Sequence, residues 1–159
     1  MTDLLEAIQS SGAQAVMIVS GGGSGALHAL LAHPGASRFF LAGRVPYSEQ
    51  ALSAYLGEDP GSACSVETAQ KMAEQALQEA EVLAGEEATH ALGISCTAAL
   101  KTVRPRKGAD RACLCFCSSQ SSLLHQIFLG EESRQKQEEE LSRFLLEKLA
   151  DFLREEIKK

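Results

Sequence analysis

The chain has 159 residues, 45% of them hydrophobic, and its 15 basic and 21 acidic side chains give a net charge of -6. This length and composition predict one globular domain over residues 1–159, and the acidic charge argues against a nucleic-acid-binding protein. No apolar run approaches membrane-spanning length, and the acidic start Met1–Glu6 lacks the basic region of a signal peptide. We therefore expect a cytoplasmic protein rather than a membrane protein or a secreted one.

Helical and strand patterns alternate along the first half of the chain. The predicted elements are a short helix ending near Gly12, a strand over Ala15–Val19, a helix over Gly25–Ala32, a strand over Phe39–Tyr47, a helix over Glu49–Leu56 and a long helix after Ser65. Ser65 belongs to a residue type that caps helix N termini, and Gly57 to the type that ends helices.

The second half adds three strands and a terminal helix. They are predicted over His90–Thr97, Arg111–Ser118 and Leu123–Leu129, with the helix introduced by Gly130. Apolar residues at three- and four-residue spacings, up to Ile157, give that helix one face that packs on the core. Its acidic run Glu138–Glu140 is assigned to the solvated face or to an acidic first half of the helix. Strands interleaved with helices predict a layered α/β domain.

Five cysteines, an odd number, fit a reducing compartment better than a disulfide framework. Cys113, Cys115 and Cys117 alternate along one predicted strand. Neighbouring members of this set would lie ~6.6 Å apart along one face, too far to chelate one zinc ion without bending the strand. We therefore expect small buried apolar residues and no metal site.

A glycine-rich loop follows the first strand, where Ser20 precedes Gly21, Gly22, Gly23 and Ser24 at the start of a helix. Bare backbone amides at a helix start favour an anion, so these residues are candidate ligand-binding positions. The spacing excludes a phosphate loop and a dinucleotide fingerprint, and it fits a nucleophile elbow poorly. The alternative is a tight turn that needs glycine only for its backbone angles.

A second candidate is the connection from Lys101 to Arg111, which has four excess positive charges. If it borders the glycine-rich loop, it should attract phosphate-bearing ligands; otherwise it is a solvated loop.

The order of motifs resembles the C-terminal domain of the CinA family, which contains nicotinamide-nucleotide amidases that deamidate nicotinamide mononucleotide. The resemblance covers most of the chain. The resemblance rests on four sequence segments, Val19-Ser20-Gly21-Gly22-Gly23-Ser24, Pro34-Gly35-Ala36-Ser37, Tyr47-Ser48-Glu49-Gln50-Ala51-Leu52 and Cys64-Ser65-Val66-Glu67. It implies a mixed, mostly buried sheet flanked by helices.

The resemblance also implies site residues. Ser20 matches the motif serine that acts as nucleophile, and Thr97 falls in the family's second glycine loop as a ligand-binding position. Tyr47 either orients a ligand or is a strand-end aromatic half in the core. Leu52, however, occupies the position of the lysine that activates the serine, and leucine cannot accept a proton.

Three hypotheses remain open at this point. The first is a member degenerate at the catalytic site, without a cofactor, that binds at most a pyridine mononucleotide or another phosphate-bearing small molecule. The second is an active amidohydrolase in which Ser20 or Ser24 uses another base, such as Lys101 or His28. The third is a structural or assembly protein, for which a homo-oligomer is one form.

Overall fold

The structure, a computed structural model, describes residues 1–157, of which the last two lack a described side chain. The predicted apolar position Ile157 therefore lies outside the described side chains. The elements in chain order are α1 Thr2–Gln9, β1 Ala13–Ser20, α2 Ser24–Ala32, β2 Phe40–Arg44, α3 Glu49–Leu56, α4 Val66–Leu83, β3 His90–Ala99, β4 Arg111–Cys117, β5 Ser122–Phe128 and α5 Arg134–Phe152.

One five-stranded sheet in the order β2-β1-β3-β4-β5 forms the centre of the molecule. β1 pairs in parallel with both β2 and β3, whereas β4 and β5 are antiparallel to their neighbours. The carboxyl ends of the three parallel strands therefore meet at one edge of the sheet, where ligands of open α/β sheets bind. The predicted mixed α/β sheet is confirmed.

Helices cover both faces of this sheet. On one face α1, α2 and α5 enclose a core that includes Ile8, Leu30, Phe116 and Leu149. On the other face α3 and α4 pack over two smaller clusters, one around Met72 and one around the cysteines of β4. All eight residues of β1 are buried, since this strand is paired on both edges and covered on both faces.

Serine caps fix the starts of three helices. The Oγ atoms of Ser48, Ser65 and Ser133 accept hydrogen bonds from backbone amides at 3.1, 3.1 and 3.2 Å, respectively. The start of α4 is as predicted from Ser65. α5 begins later than predicted from Gly130, because the cap is Ser133.

The second strand is shorter than predicted. β2 ends at Arg44, and Pro46 follows in a segment outside the sheet. Proline has no amide to donate to a strand ladder, so the chain leaves the sheet before it. Tyr47 is thus not a strand-end aromatic half in the core; it is 65% exposed.

No helix within residues 1–157 combines the length and the apolarity that a bilayer crossing requires.

Candidate functional site

The glycine-rich loop packs tightly against the end of β3. Gly21 has a φ of +80°, and a Cβ atom built there would lie 2.0 Å from the carbonyl oxygen of Ala98. A Cβ on Gly22 would lie 2.9 Å from the Ala98 methyl and 3.1 Å from a Leu141 methyl. Glycine is therefore required here for close approach as well as for backbone conformation.

Glu138 of α5 reaches back to this loop. Its Oε1 accepts a hydrogen bond from the Gly23 amide at 2.8 Å, and its Oε2 accepts one from the Gly25 amide at 3.4 Å. The Ser142 hydroxyl, one turn further along α5, donates to the same Oε2. The assignment of Glu138 to the solvated face is wrong, whereas Glu139 and Glu140 are exposed as predicted. A carboxylate of the chain itself thus occupies the position of an anion at the start of α2.

Ser20, the predicted nucleophile, is buried at the end of β1. Its side chain is 4% exposed, and its hydroxyl donates a hydrogen bond to the carbonyl oxygen of Pro46 at 2.9 Å. A carbonyl oxygen cannot take the hydroxyl proton, so this contact orients the serine without activating it. In the described part of the chain, no titratable side chain hydrogen-bonds to Ser20.

Leu52 lies in an apolar environment. It is 2% exposed and packs with Val16, Ile18 and Met72 on the α4 face of the sheet. Its hydrocarbon side chain has no polar atom that could accept the Ser20 proton.

The other predicted site residues are not all brought together. Ser24 and Tyr47 lie with the glycine-rich loop around one pocket. Thr97 is the ladder partner of Ser20 on β3 and is 1% exposed. Its hydroxyl donates to the Ala63 carbonyl at 2.5 Å, on the α4 side of the sheet. His28 and Lys101 are exposed, and no hydrogen bond within the described residues joins either side chain to Ser20 or Ser24.

Arg134, in the first turn of α5, connects the ends of the three parallel strands. Its guanidinium donates to the carbonyl oxygens of Gly21 at 3.2 Å and Lys101 at 3.0 Å, and to the Tyr47 hydroxyl at 3.3 Å. All three acceptors are neutral. Among the described residues, no carboxylate forms an ion pair with Arg134, so its positive charge is not neutralised by a contact.

These groups line a pocket of about 480 Å³ beside the glycine-rich loop. Its wall is apolar at Val19, Val45 and Leu100. Its polar side chains are those of Ser24, Tyr47, Arg134, Gln135 and Glu138. A pocket of this size and lining is typical of small-molecule sites, which combine apolar walls with a few polar groups.

The basic connection is only partly solvated. Arg106 forms an ion pair with Asp110 and donates to the carbonyl oxygens of Leu100 and Ala99 at 3.0 Å each. Arg111 donates to the Cys64 carbonyl at 3.0 Å. Two of the arginines therefore hold the loop in place, while the exposed basic side chains are Lys101, Arg104 and Lys107.

Sequence reasoning missed Glu138 and Arg134. One signal for Arg134 was available: a cation in the first turn of a helix opposes the helix dipole, which suggests that a tertiary contact holds it there. Glu138 offered no local signal, since its partners Gly23 and Gly25 lie more than a hundred positions away.

Comparison with known proteins gives a consistent result. The family model described as the CinA C-terminal domain matches residues 3–153. No curated protein matches the sequence significantly. Two similar solved structures are a competence or damage-inducible protein from Enterobacter asburiae (20% identity, TM-score 0.80, covering 96% of this chain and 97% of that one) and a competence/damage-inducible protein from Agrobacterium tumefaciens (22% identity, TM-score 0.79, covering 97% and 95%).

Proposed function

The chain belongs to the CinA C-terminal domain family, and we propose that it is a member without hydrolytic activity that binds an anionic small molecule of mononucleotide size beside the glycine-rich loop. The observation that carries this proposal is the hydrogen bond from the Ser20 hydroxyl to the Pro46 carbonyl. A serine becomes a nucleophile only when a base takes its proton, and this contact provides none.

The position of Leu52 supports the same conclusion. Leucine at this position packs with Val16, Ile18 and Met72 and has no group that can take a proton. Loss of a catalytic base typically lowers the rate by orders of magnitude. The alternative bases Lys101 and His28 make no hydrogen bond to either serine in the described part of the chain.

Glu138 changes which group would bind the ligand. The amides of Gly23 and Gly25 already donate to its carboxylate. An external phosphate at these amides would have to displace that carboxylate and overcome its charge. The glycine-rich loop is therefore proposed as a structural element that forms the floor of the pocket.

Arg134 provides the anion-binding group in its place. Its charge faces the 480 Å³ pocket and is bonded to neutral oxygens only. The apolar wall of Val19, Val45 and Leu100 suits the ring of a nucleotide base, and the Tyr47 ring stands at the rim. A pyridine mononucleotide, the substrate that the family resemblance implies, has both a ring and a phosphate.

Calorimetric titration with nicotinamide mononucleotide tests this proposal. Replacing Arg134 by glutamine should weaken binding about tenfold or more, since a hydrogen bond to a charged group contributes roughly 1.5–3 kcal/mol. Arg143→Gln is the matched control, because Arg143 lies on the same helix and pairs with Glu147 on its exposed face. No binding to the wild-type protein at millimolar ligand, or an equal loss in both variants, would overturn the proposed ligand site and favour a structural role.

A further inference from the structure

A cluster of cysteines lies on the face of the sheet that α4 covers. Cys113, Cys115 and Cys117 come from β4, and Cys64 comes from the loop that leads into α4. All five cysteines of the chain are free thiols. As predicted, the β4 cysteines are buried. The pocket and the glycine-rich loop described above use none of these four thiols.

Cys64 and Cys113 are direct neighbours. The Cys64 Sγ lies 3.6 Å from the Thr97 carbonyl oxygen and 3.8 Å from that of Arg111. Thr97 is the ladder partner of Cys113, and Arg111 lies two residues before Cys113 on the same face of β4. These contacts place the Cys64 sulfur beside Cys113, and both residues belong to one cluster of buried side chains.

The charges around Cys64 differ from those around Cys117, although the two residues are almost equally exposed, at 9% and 7%. Cys64 lies near the guanidinium groups of Arg111 and Arg106. Cys117 lies near the carboxylates of Glu74 and Glu81. Cations stabilise a thiolate and anions destabilise it, so these two cysteines form a natural pair for comparison.

The acidity of the two thiols follows these surroundings. The adjacent Cys113 thiol has the largest effect on Cys64 and lowers its pKa, to about 7. Burial opposes this shift, and the guanidinium groups of Arg111 and Arg106 add to it. Burial, and then the carboxylate of Glu74, raises the pKa of Cys117. Burial also raises the pKa of Cys96 and Cys115, and the adjacent Cys64 thiol raises that of Cys113. Of the five cysteines, Cys64 is therefore the one whose pKa is lowered by its surroundings.

We propose that Cys64 and Cys113 form a redox pair, in which a hydroperoxide oxidises Cys64 and Cys113 then closes a disulfide. In the first step the Cys64 thiolate attacks the terminal peroxide oxygen, and an S–O bond forms as the O–O bond breaks. The leaving alkoxide or hydroxide takes a proton from solvent water, so the products are a sulfenic acid and an alcohol or water. In the second step the Cys113 sulfur attacks the sulfenic sulfur, and hydroxide leaves with the Cys113 proton as water. The two thiols lose two electrons in total, and the peroxide gains them.

The disulfide would join the loop before α4 to β4. In the reduced protein this loop is held by the packing of Cys64 and by hydrogen bonds, among them those of Thr97 to Ala63 and of Arg111 to Cys64. The proposal is independent of the proposed ligand pocket, since it needs neither Ser20 nor Arg134.

Peptide mapping of the peroxide-treated wild-type protein tests the disulfide. After treatment with hydrogen peroxide and blocking of the remaining thiols, digestion without reductant should yield a peptide that joins Cys64 to Cys113, with a mass lower by two hydrogen atoms than the sum of its parts. Cys64→Ser and Cys113→Ser should each abolish it, while Cys117→Ser should not. A different cysteine pair, or irreversible oxidation of Cys64 with no cross-linked peptide, would overturn the pairing.

Alkylation of the folded wild-type protein tests the order of the steps without any variant. Iodoacetamide at pH 7 should label Cys64 about tenfold or more faster than Cys117, because the thiolate is the nucleophile and a lowered pKa only partly reduces its reactivity. Equal rates at the two sites would contradict the assignment of Cys64 as the thiol that reacts first.

Discussion

The Glu138 carboxylate and the Gly23 amide are joined by a hydrogen bond of 2.8 Å that connects α5 to the first residue before α2. Glycine-rich turns at helix starts commonly hold external anions. Here the anion is part of the chain, and its second oxygen accepts from Gly25 and from the Ser142 hydroxyl. The loop is therefore stabilised by a carboxylate that arrives from the C-terminal helix.

Replacing Glu138 by alanine should lower the free energy of unfolding by about 1 kcal/mol or more, the size of a lost helix N-cap. The reason is that the amides of Gly23 and Gly25 lose their acceptor. Urea denaturation measures the change. Glu139→Ala, which removes an exposed neighbour on the same helix, is the control and should change stability little. Equal effects of the two variants would contradict a capping role for Glu138.

A small carboxylate should rescue the Glu138→Ala variant. Formate fits the vacated position at the Gly23 and Gly25 amides, so it should raise the melting temperature of this variant relative to chloride at the same ionic strength. The wild-type protein, in which Glu138 fills the position, serves as the control and should not respond. If formate stabilises both proteins equally, the amides are not its binding site.

Gly21→Ala should destabilise the protein far more than Gly57→Ala. Both glycines have positive φ angles, +80° and +77°, so the backbone strain is the same in each variant and is worth roughly 1 kcal/mol. At Gly57 a Cβ would meet nothing within 4 Å, but at Gly21 it would lie 2.0 Å from the Ala98 carbonyl oxygen. Chemical denaturation of the two variants separates the strain from the collision. Similar losses would show that the loop can move away from β3.

The contribution of Glu79 to stability should depend on pH. The hydrogen bond from Arg44 holds the pKa of Glu79 below its ordinary value of 4.5. Burial opposes this shift, and the hydrogen bond from Tyr55 adds to it. A lowered pKa in the folded state means that the carboxylate stabilises the protein above about pH 4.5, and that this contribution falls as the pH drops through the folded-state pKa.

Urea denaturation from pH 7 to pH 3 measures this dependence. The stability difference between wild type and Glu79→Gln should be largest at pH 7 and should shrink in acid. Glu74→Gln is the control on the same helix, since Glu74 accepts a hydrogen bond from the uncharged Gln70. A Glu79→Gln difference that is constant with pH would mean that the contacts with Arg44 and Tyr55 add nothing to folding.

Local signals predict most of the fold. Ser65 and Gly57 mark the ends of helices through hydrogen bonds and backbone angles that lie within a few residues, and both predicted positions are confirmed. The buried strands β1, β3 and β4 are short apolar runs between turn residues, which is a strong local pattern. The predicted end of β2 lies too far along the chain, because the strand-like pattern continues to Tyr47 although Pro46 interrupts the hydrogen-bond ladder.

The site is less accessible to such reasoning. The position of the glycine-rich loop follows from the sequence, but its partners come from α5, and a single sequence does not show which side chain of a distant helix turns inward. Glu138 and its neighbour Glu139 are the same residue type, and only the packing of α5 against α2 distinguishes them. The missing base was already indicated by Leu52, but the hydrogen bond that the Ser20 hydroxyl makes instead, to the Pro46 carbonyl, is seen only in the structure.

Ammonia release from nicotinamide mononucleotide is the most direct test of the proposed loss of hydrolytic activity. We expect the purified wild-type protein to release ammonia no faster than its Ser20→Ala variant, because the Ser20 hydroxyl is bonded to a carbonyl oxygen and has no base. A turnover near that of typical enzymes, about 10 per second, that disappears in Ser20→Ala would contradict this account and establish the chain as an active amidohydrolase.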